Sequence, residues 1–257
     1  MLHNRSGYAA EMVPMVDPRG RNVGVVIAKG TYRLVKGQLE LDEEQEPIAY
    51  VDEYADEPGK SEYLVPADLV DFKPGTDVLV VRHAPERPSH GLRVRVSVGD
   101  VRAGRLSFRA AALGPVSRSQ RRRRKLAGTF DERWQRERMP LLPTDFDPRH
   151  NQAARPKQVS RRYLTGSERV ELENVFEPGA ARFRLPGHVV VIGGNVKGDF
   201  FSRPADLDTV LFWSDARRVT LVWRARIACE RKIEEIRNVH VYRVRAHTAR
   251  QLYGARS

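Results

Sequence analysis

The densest charge cluster of the chain is a run of consecutive basic residues: Arg121, Arg122, Arg123, Arg124 and Lys125. Adjacent cations can bind phosphates through salt-dependent contacts, so the run suits a nucleic-acid backbone. Base recognition also needs aromatic platforms or a reading helix beside the cations, and the nearest aromatic residues are Phe108 and Phe130. No zinc spacing or helix-turn-helix pattern accompanies the run. The preferred interpretation is an exposed or protein-binding connector, with nucleic-acid binding as the alternative.

Closely spaced carboxylates are the next residues that could do chemistry, as a general acid and its base. Such pairs are Asp52 with Glu53, Asp145 with Asp147, and Asp206 with Asp208. The last two pairs also lie in sequences typical of loops and strand entries, where Asp bonds nearby backbone amides. We therefore favour turn roles, name no catalytic residue and predict that the chain is not an enzyme.

The sequence gives little support to metal or nucleotide sites. The seven histidines are scattered, and none has the spacing of two ligands on one helical face. The single cysteine, Cys229, lies in an apolar strand-like run and is expected to be a buried hydrophobic residue. Gly193-Gly194-Asn195 lacks a further phosphate-binding glycine pattern, so a hairpin turn is expected there. We predict no cofactor and no bound metal.

Aromatic and arginine side chains remain as candidates, because Trp and Arg supply much of the binding energy of protein interfaces. Trp134 and Phe146 lie in residues 128–148 (GTFDERWQRERMPLLPTDFDP), the central segment. An interface and a core position are both open for Trp134, whereas Trp213 and Trp223 are expected in the core of paired strands. The partner-binding candidates are Trp134, Phe130, Asp131, Arg138, Phe146, Arg121, Arg122, Arg123 and Arg124.

The elements that must position these residues are mostly short strands, rich in β-branched and aromatic residues. They are predicted at 21–34, 38–41, 76–81, 92–98, 105–110, 169–172, 181–185, 189–192, 209–213, 219–227 and 239–244. Short helices are predicted at 131–138 and 228–237. Because neither can supply the crossovers of a parallel sheet, we predict a mainly β fold. Its antiparallel sheets would form a β-sandwich or a barrel-like architecture with few short helices.

Composition places the chain among globular proteins, with 257 residues, 40% hydrophobic content and a net charge of +12. Such a charge could attract nucleic acid, an acidic protein or an anionic surface. No apolar run approaches the roughly 18 residues of a membrane span, and no signal peptide is recognisable, so a cytoplasmic location is expected. We expect a β subdomain at 1–113 and an Arg-rich exposed connector at 114–127. The central segment and a second β subdomain would follow at 128–257, in one compact unit.

Several dispersed stretches of the sequence resemble a single protein family, and we call them the shared stretches. They are AKGTYRL at 28–34, KPGTDVLV at 73–80, GTFDERW through DFDP in the central segment, LTGSERVELENV at 164–175, LDTV at 207–210 and LVWRA at 221–225. In this order they resemble an uncharacterised bacterial domain family found with type VI secretion systems. The resemblance implies an adaptor or chaperone that binds a cognate effector and helps to load it onto the secretion spike or its tip protein. It carries over no catalytic residue. The alternative is a basic nucleic-acid-binding protein that uses residues 121–125.

Overall fold

The computed structural model describes residues 1–54, 63–81, 93–97, 105–109, 147–154, 159–176, 179–214 and 216–254. The first nine strands are β1 Leu2–Asn4, β2 Ala9–Val16, β3 Asn22–Val35, β4 Gln38–Leu41, β5 Glu53–Tyr54, β6 Tyr63–Val65, β7 Thr76–Val81, β8 Arg93–Ser97 and β9 Arg105–Arg109. The later strands are β10 Val159–Ser160, β11 Arg169–Glu173, β12 Ala180–Arg184, β13 His188–Val196, β14 Asp199–Pro204, β15 Asp206–Trp213, β16 Arg218–Ala228 and β17 Ile236–Arg245. In these ranges there is one α-helix, α1, Ala246–Tyr253, and there are 3-10 turns at Pro148–Asn151 and Ile233–Glu235.

The largest sheet has the strand order β10-β7-β15-β16-β3-β2, and β4 pairs with the end of β3. Its strands come from both halves of the chain, because β2, β3 and β7 precede residue 114 and β10, β15 and β16 follow residue 127. Strands β7 and β15 pair in parallel, and the other neighbours pair antiparallel. This central sheet therefore joins the two halves through direct strand pairing.

Smaller sheets complete the fold. One has the order β1-β17-β13-β14, with β1 and β17 parallel, and another has the order β12-β11-β8-β9. Strands β5 and β6 form a two-stranded sheet. The described strands do not close into a barrel. The predicted mainly β class is confirmed, and antiparallel pairing predominates.

The main core lies on one face of the central sheet, and period-two alternation decides which residues reach it. In β16, the side chains of Val219, Leu221 and Trp223 enter this core, where they meet residues of both four-stranded sheets, such as Ile192 and Phe183. The alternate β16 residues lie on the opposite face. Because both faces are covered, β3 is buried almost throughout and reads as a nearly continuous apolar run.

The strand predictions agree with the structure within a few residues at most ends. The hairpins β3–β4 and β15–β16 form as expected, and Trp213, Trp223 and Cys229 are buried. The predicted helix at 131–138 and the connector at 114–127 lie outside the described residues. The division into subdomains at that connector stays a prediction.

Two local predictions are wrong. Gly193-Gly194-Asn195 is not a turn but part of β13, at an irregularity opposite β17. Gly194 leaves room for the Phe201 ring, because an added Cβ would lie 3.0 Å from it. The hairpin turns instead at Lys197 and Gly198, which have φ of +54° and +102°. Residues 228–237 hold only one 3-10 turn before β17 begins, because Ile236, Val239 and Val241 pack into the core as strand residues.

Gly75 should be sensitive to a single methyl group. A Cβ added there would lie 2.2 Å from the carbonyl oxygen of Ser160, which belongs to the neighbouring strand β10. We expect Gly75→Ala to lower the free energy of unfolding by about 1–3 kcal/mol, because a backbone atom must move. Urea denaturation measures this change. Gly193→Ala is the matched control, since its nearest contact would be 3.5 Å away; an equal loss in both variants would contradict the explanation.

Candidate functional site

Charged residues of the shared stretches meet inside the central sheet. Lys29 on β3, Arg224 on β16, Asp208 on β15 and Asp77 on β7 are all buried. Their strands are consecutive neighbours in the sheet. Stretches that are far apart in sequence thus contribute to one buried polar network, which also includes Lys73 from the turn before β7.

Arg224 is the most highly connected member of this network. Its Nε donates to Asp208 Oδ2 at 2.7 Å, and one terminal nitrogen donates to the carbonyl oxygens of Asp68 at 2.6 Å and Val70 at 3.1 Å. One guanidinium therefore joins β15, β16 and the loop that precedes β7. Asp208 also accepts a hydrogen bond from the Thr209 hydroxyl at 2.8 Å, beside the β-bulge of β15.

Two buried lysines extend the network across the sheet. Lys73 Nζ donates to Asp77 Oδ2 at 2.9 Å and to Thr209 Oγ1 at 2.7 Å. Lys29 Nζ donates to Asp68 Oδ2 at 2.9 Å, and the same carboxylate accepts from the Ala49 amide at 2.8 Å. These contacts hold the loop before β7 against the polar face of the sheet.

The stretch at 164–175 has a comparable structural role. The buried Glu168 carboxylate accepts from the amides of Thr165 at 2.6 Å and Gly166 at 2.9 Å. Gly166 has φ of +80°, and an added Cβ would lie 2.6 Å from the His188 carbonyl oxygen. The TGSE turn is therefore fixed by its own acidic side chain and fits closely against the start of β13.

The electrostatics of the network follow from burial. Burial raises the pKa of Asp208 above its usual range, while the charges of Arg224 and Lys73 oppose that rise. Taking such charges out of water is costly, and each stays charged only while its partner is in place. The network therefore ties neighbouring strands together in one arrangement.

A cavity of about 270 Å³ opens beside the network. Its lining includes Asp71, Lys73, Tyr163, Asp206, Asp208 and Arg226. Burial raises the pKa of Asp71 and of Tyr163. The three network residues of this lining, Lys73, Asp208 and Arg224, are already engaged by protein groups. The cavity lining thus carries both acidic and basic side chains.

Among the carboxylates considered for acid–base chemistry, Asp147 has the contacts of a turn residue, whereas Asp208 is a buried strand residue, so the predicted turn role is wrong for Asp208. Asp147 precedes a 3-10 turn and accepts from the Arg149 amide at 2.9 Å, and Asp52 accepts from the Ala67 amide at 2.9 Å. Asp206 and Asp208 both line the cavity, but Asp208 is held by Arg224. The described residues include no group of three or more His, Cys, Asp or Glu side chains that could hold a metal ion.

A second polar cluster joins the N-terminal segment to the core. The hydroxyls of Tyr8 and Tyr32 are hydrogen-bonded to each other, and Tyr32 Oη lies 3.1 Å from His188 Nδ1. The Tyr8 ring stacks on the Trp223 ring, with 5.2 Å between the two ring centroids. The Arg243 guanidinium lies over the same Tyr8 ring, 5.3 Å from its centroid. Burial, together with the charges of Arg243 and Arg245, lowers the pKa of His188 to about 4. The imidazole is therefore neutral in the native protein at pH 7.

The predicted partner-binding residues cannot be placed in this arrangement. Trp134, Phe130, Asp131, Arg138 and Phe146 lie outside the described residues, and so does the basic run from Arg121 to Arg124. Sequence reasoning did not identify the network itself. The sequence feature that could have revealed the network is a charged residue inside an apolar strand, as in VVIAKGTY around Lys29 and LVWRA around Arg224.

A family model described as "Uncharacterized protein conserved in bacteria (DUF2169)" matches residues 19–107 and 101–224. The chain belongs to this family. The DUF2169 match includes Lys29, Lys73, Asp77, Asp208 and Arg224, and it also spans the central segment. Neither a curated protein nor a solved structure matches the chain. The family resemblance is thus confirmed, and its link with type VI secretion stays a prediction.

No described helix of this DUF2169 chain is both long enough and apolar enough to cross a membrane.

Removing one member of a buried pair should strongly destabilise the protein. Lys29→Met leaves the Asp68 carboxylate buried without its cation, and we expect a loss of about 3–5 kcal/mol in the free energy of unfolding. The double variant Lys29→Met/Asp68→Asn should recover part of it, since the amide oxygen of Asn can still accept from Ala49. Arg182→Met is the surface control, because Arg182 is 77% exposed and its pair with Glu171 should contribute about 0–1 kcal/mol. Equal losses in Lys29→Met and Arg182→Met, measured by chemical denaturation, would refute the prediction.

His188 should make stability depend on pH. Its native pKa of about 4 lies below the ordinary value of about 6.5, so the unfolded chain binds the proton first as pH falls. Stability is therefore expected to decline between about pH 6.5 and pH 4, and this group contributes no further change below that window. His188→Gln should flatten the decline in denaturation experiments, whereas His247→Gln, on exposed α1, should not. Parallel curves for wild type and His188→Gln would contradict the assignment.

Proposed function

We propose that this chain is an adaptor or loading chaperone of a type VI secretion system. It binds a cognate effector in the cytoplasm and helps to load it onto the secretion spike or spike-tip protein. The proposal joins the resemblance of the shared stretches to the properties of the described residues. It assigns the chain a binding role and no reaction.

The observation that carries the proposal is the location of the shared stretches. Five of them contribute residues to the buried polar network or to the packed turn at Glu168. Inside the fold, the network charges are ion-paired and Glu168 accepts hydrogen bonds from backbone amides. Groups that are fixed in this way maintain an architecture. A family that shares such internal residues shares a β scaffold, which supports recognition by surfaces that differ between members.

The charge of the chain supports a protein partner that is acidic. A net charge of +12 attracts an oppositely charged surface before contact and raises the association rate. The basic run from Arg121 to Arg124 is the densest part of this charge. In the adaptor it steers the effector, and the aromatic side chains Trp134 and Phe146 of the central segment supply the apolar anchors.

The proposal predicts that Trp134→Ala weakens capture of an effector or spike-tip protein. The tagged chain is used in a pulldown from native cytoplasm at about 0.3 M salt, where exposed ion pairs are strongly screened. Truncating an interface Trp removes roughly 2 kcal/mol, so we expect about 30-fold weaker binding. Leu252→Ala is the matched control, because Leu252 is an exposed apolar residue on α1.

The outcomes of this pulldown separate the candidate functions. Recovery of a spike-tip or effector protein by wild type and by Leu252→Ala, but not by Trp134→Ala, supports the adaptor. The adaptor is rejected if neither protein is recovered while nucleic acid is retained at low salt. In that case the retained nucleic acid should be lost when Arg121 to Arg124 are replaced by Gln. That result would favour the nucleic-acid-binding alternative.

A further inference from the structure

The core-facing side of the sheet β1-β17-β13-β14 ends in a group of polar side chains. Strand alternation places Arg243 and Arg245 on the core-facing side of β17, and on β13 His188 lies directly opposite Arg245. Tyr8 and Tyr32 reach the same place from the N-terminal segment and from β3. We call these five residues the margin cluster. Two cations, an imidazole and two hydroxyl groups therefore meet at the margin of the core.

Arg243 is held in a three-layer stack. Its guanidinium lies over the Tyr8 ring, 5.3 Å from the centroid, and the Trp223 ring lies parallel to Tyr8 with 5.2 Å between the centroids. Trp223 belongs to the central sheet and Arg243 to the smaller sheet, so the two lie on opposite faces of the Tyr8 ring. A guanidinium stacked on a ring keeps N–H donors at its edge, where they can bind an anion.

The charges that act on the margin cluster are all positive. Burial lowers the pKa of His188, and the charges of Arg243 and Arg245 act in the same direction. Burial raises the pKa of Tyr8, and the same two charges oppose that rise. The Glu168 carboxylate of the adjacent turn accepts instead from two backbone amides of its own turn. The cluster thus has two positive charges that no carboxylate in the described ranges neutralises through an ion pair.

His188 has a further donor for a ligand. Its Nδ1 lies 3.1 Å from Tyr32 Oη and 3.4 Å from Tyr8 Oη, so hydroxyl groups engage this nitrogen. A hydroxyl that donates to Nδ1 leaves the proton of the neutral ring on Nε2, and we assign that tautomer. Nε2 forms no hydrogen bond with the part of the chain that the structure describes. An Nε2–H group next to two guanidinium groups is a donor set suited to a carboxylate or phosphate oxygen.

The margin cluster is in place before a ligand binds. Tyr8 fits closely against β3, because a Cβ added to Gly30 would lie 2.7 Å from its ring. Both tyrosines are buried, whereas His188 and Arg243 are half-buried and Arg245 is exposed. The cluster therefore has a fixed inner side of hydroxyl groups and cationic groups that solvent can reach. Such preorganisation lowers the entropic cost of binding.

We propose that Arg243, Arg245 and His188 form a binding site for one oxyanion group, which is a phosphate or a carboxylate. The two guanidinium groups donate charge-assisted hydrogen bonds to the anion, and His188 Nε2–H donates another. The negative charge of the ligand favours the imidazolium form of His188. Anion binding and protonation of His188 therefore strengthen each other. The proposal concerns this site and does not depend on the adaptor function.

NMR of the histidine rings tests the site in the full chain. The protein is titrated near neutral pH with inorganic phosphate and, separately, with acetate, while chloride keeps the ionic strength constant. The ring signal of His188 is followed, and it is assigned by its loss in His188→Gln. The signals of His3 and His240 serve as internal references, because these residues lie on the opposite face of the same sheet. The pKa of His188 is then measured in saturating phosphate and in chloride.

Three variants locate the binding site. Arg243→Met and Arg245→Met each remove one guanidinium, and the loss of a charge-assisted hydrogen bond should weaken anion binding about tenfold or more. Arg237→Met is the matched control, because it removes the same charge from an exposed position of β17 outside the margin cluster. Thermal unfolding confirms that each variant is folded. Since Arg245 is exposed, its variant tests the site even if Arg243→Met is unstable.

We expect a saturable shift of the His188 signal and a higher pKa of His188 in saturating phosphate than in chloride. Tighter binding of phosphate would indicate a phosphate ligand, and tighter binding of acetate would indicate a carboxylate of an acidic partner. No saturable shift with either anion, an equal loss of binding in Arg237→Met, or an unchanged His188 pKa would overturn the proposal. A Trp134-dependent pulldown alongside any of those results would show that this site fails while the adaptor function stands.

Discussion

The fold depends on the contact between Arg224 and Asp208. This ion pair is fully buried between β15 and β16, and the remaining donors of the guanidinium bind backbone carbonyls of the loop before β7. Lys73 and Lys29 neutralise further carboxylates on either side. A charge in such a place is tolerated only if every partner is present, so the sheet and its covering loop must form together.

The network also explains how the two faces of the central sheet differ. One face packs against apolar side chains of two smaller sheets, where any hydrophobic residue of suitable volume contributes. On the other face, small apolar clusters lie beside buried ion pairs, in which each charged residue requires one particular partner. The apolar face supplies most of the buried area. The polar face supplies constraints on register, since a shift of one residue would separate every pair.

Much of the fold could be predicted from the sequence, because strand signals are local. Residues 22–35 and 218–228 alternate or run as β-branched segments, and their ends follow from turn residues such as Lys36-Gly37. The helix predicted at 228–237 does not form, because Ile236 and Val239 pack into the core. Tertiary packing thus overrides the local helical preference. The buried polar network could not be predicted for a similar reason. Lys29 and Asp68 lie 39 positions apart, and nothing local reveals that one charge neutralises the other.

The pairing of β16 with β3 has a consequence for biosynthesis. Residues 23–33 of β3 pair with β16, which is synthesised about 200 residues later. Such non-local pairing raises the contact order, which slows folding and leaves apolar edges exposed in the meantime. While the ribosome completes the chain, the nascent N-terminal half holds the apolar residues of β3 and β7 without their neighbouring strands β16 and β15. These edges are therefore most open to wrong pairing during translation, and the arrival of β16 closes the sheet.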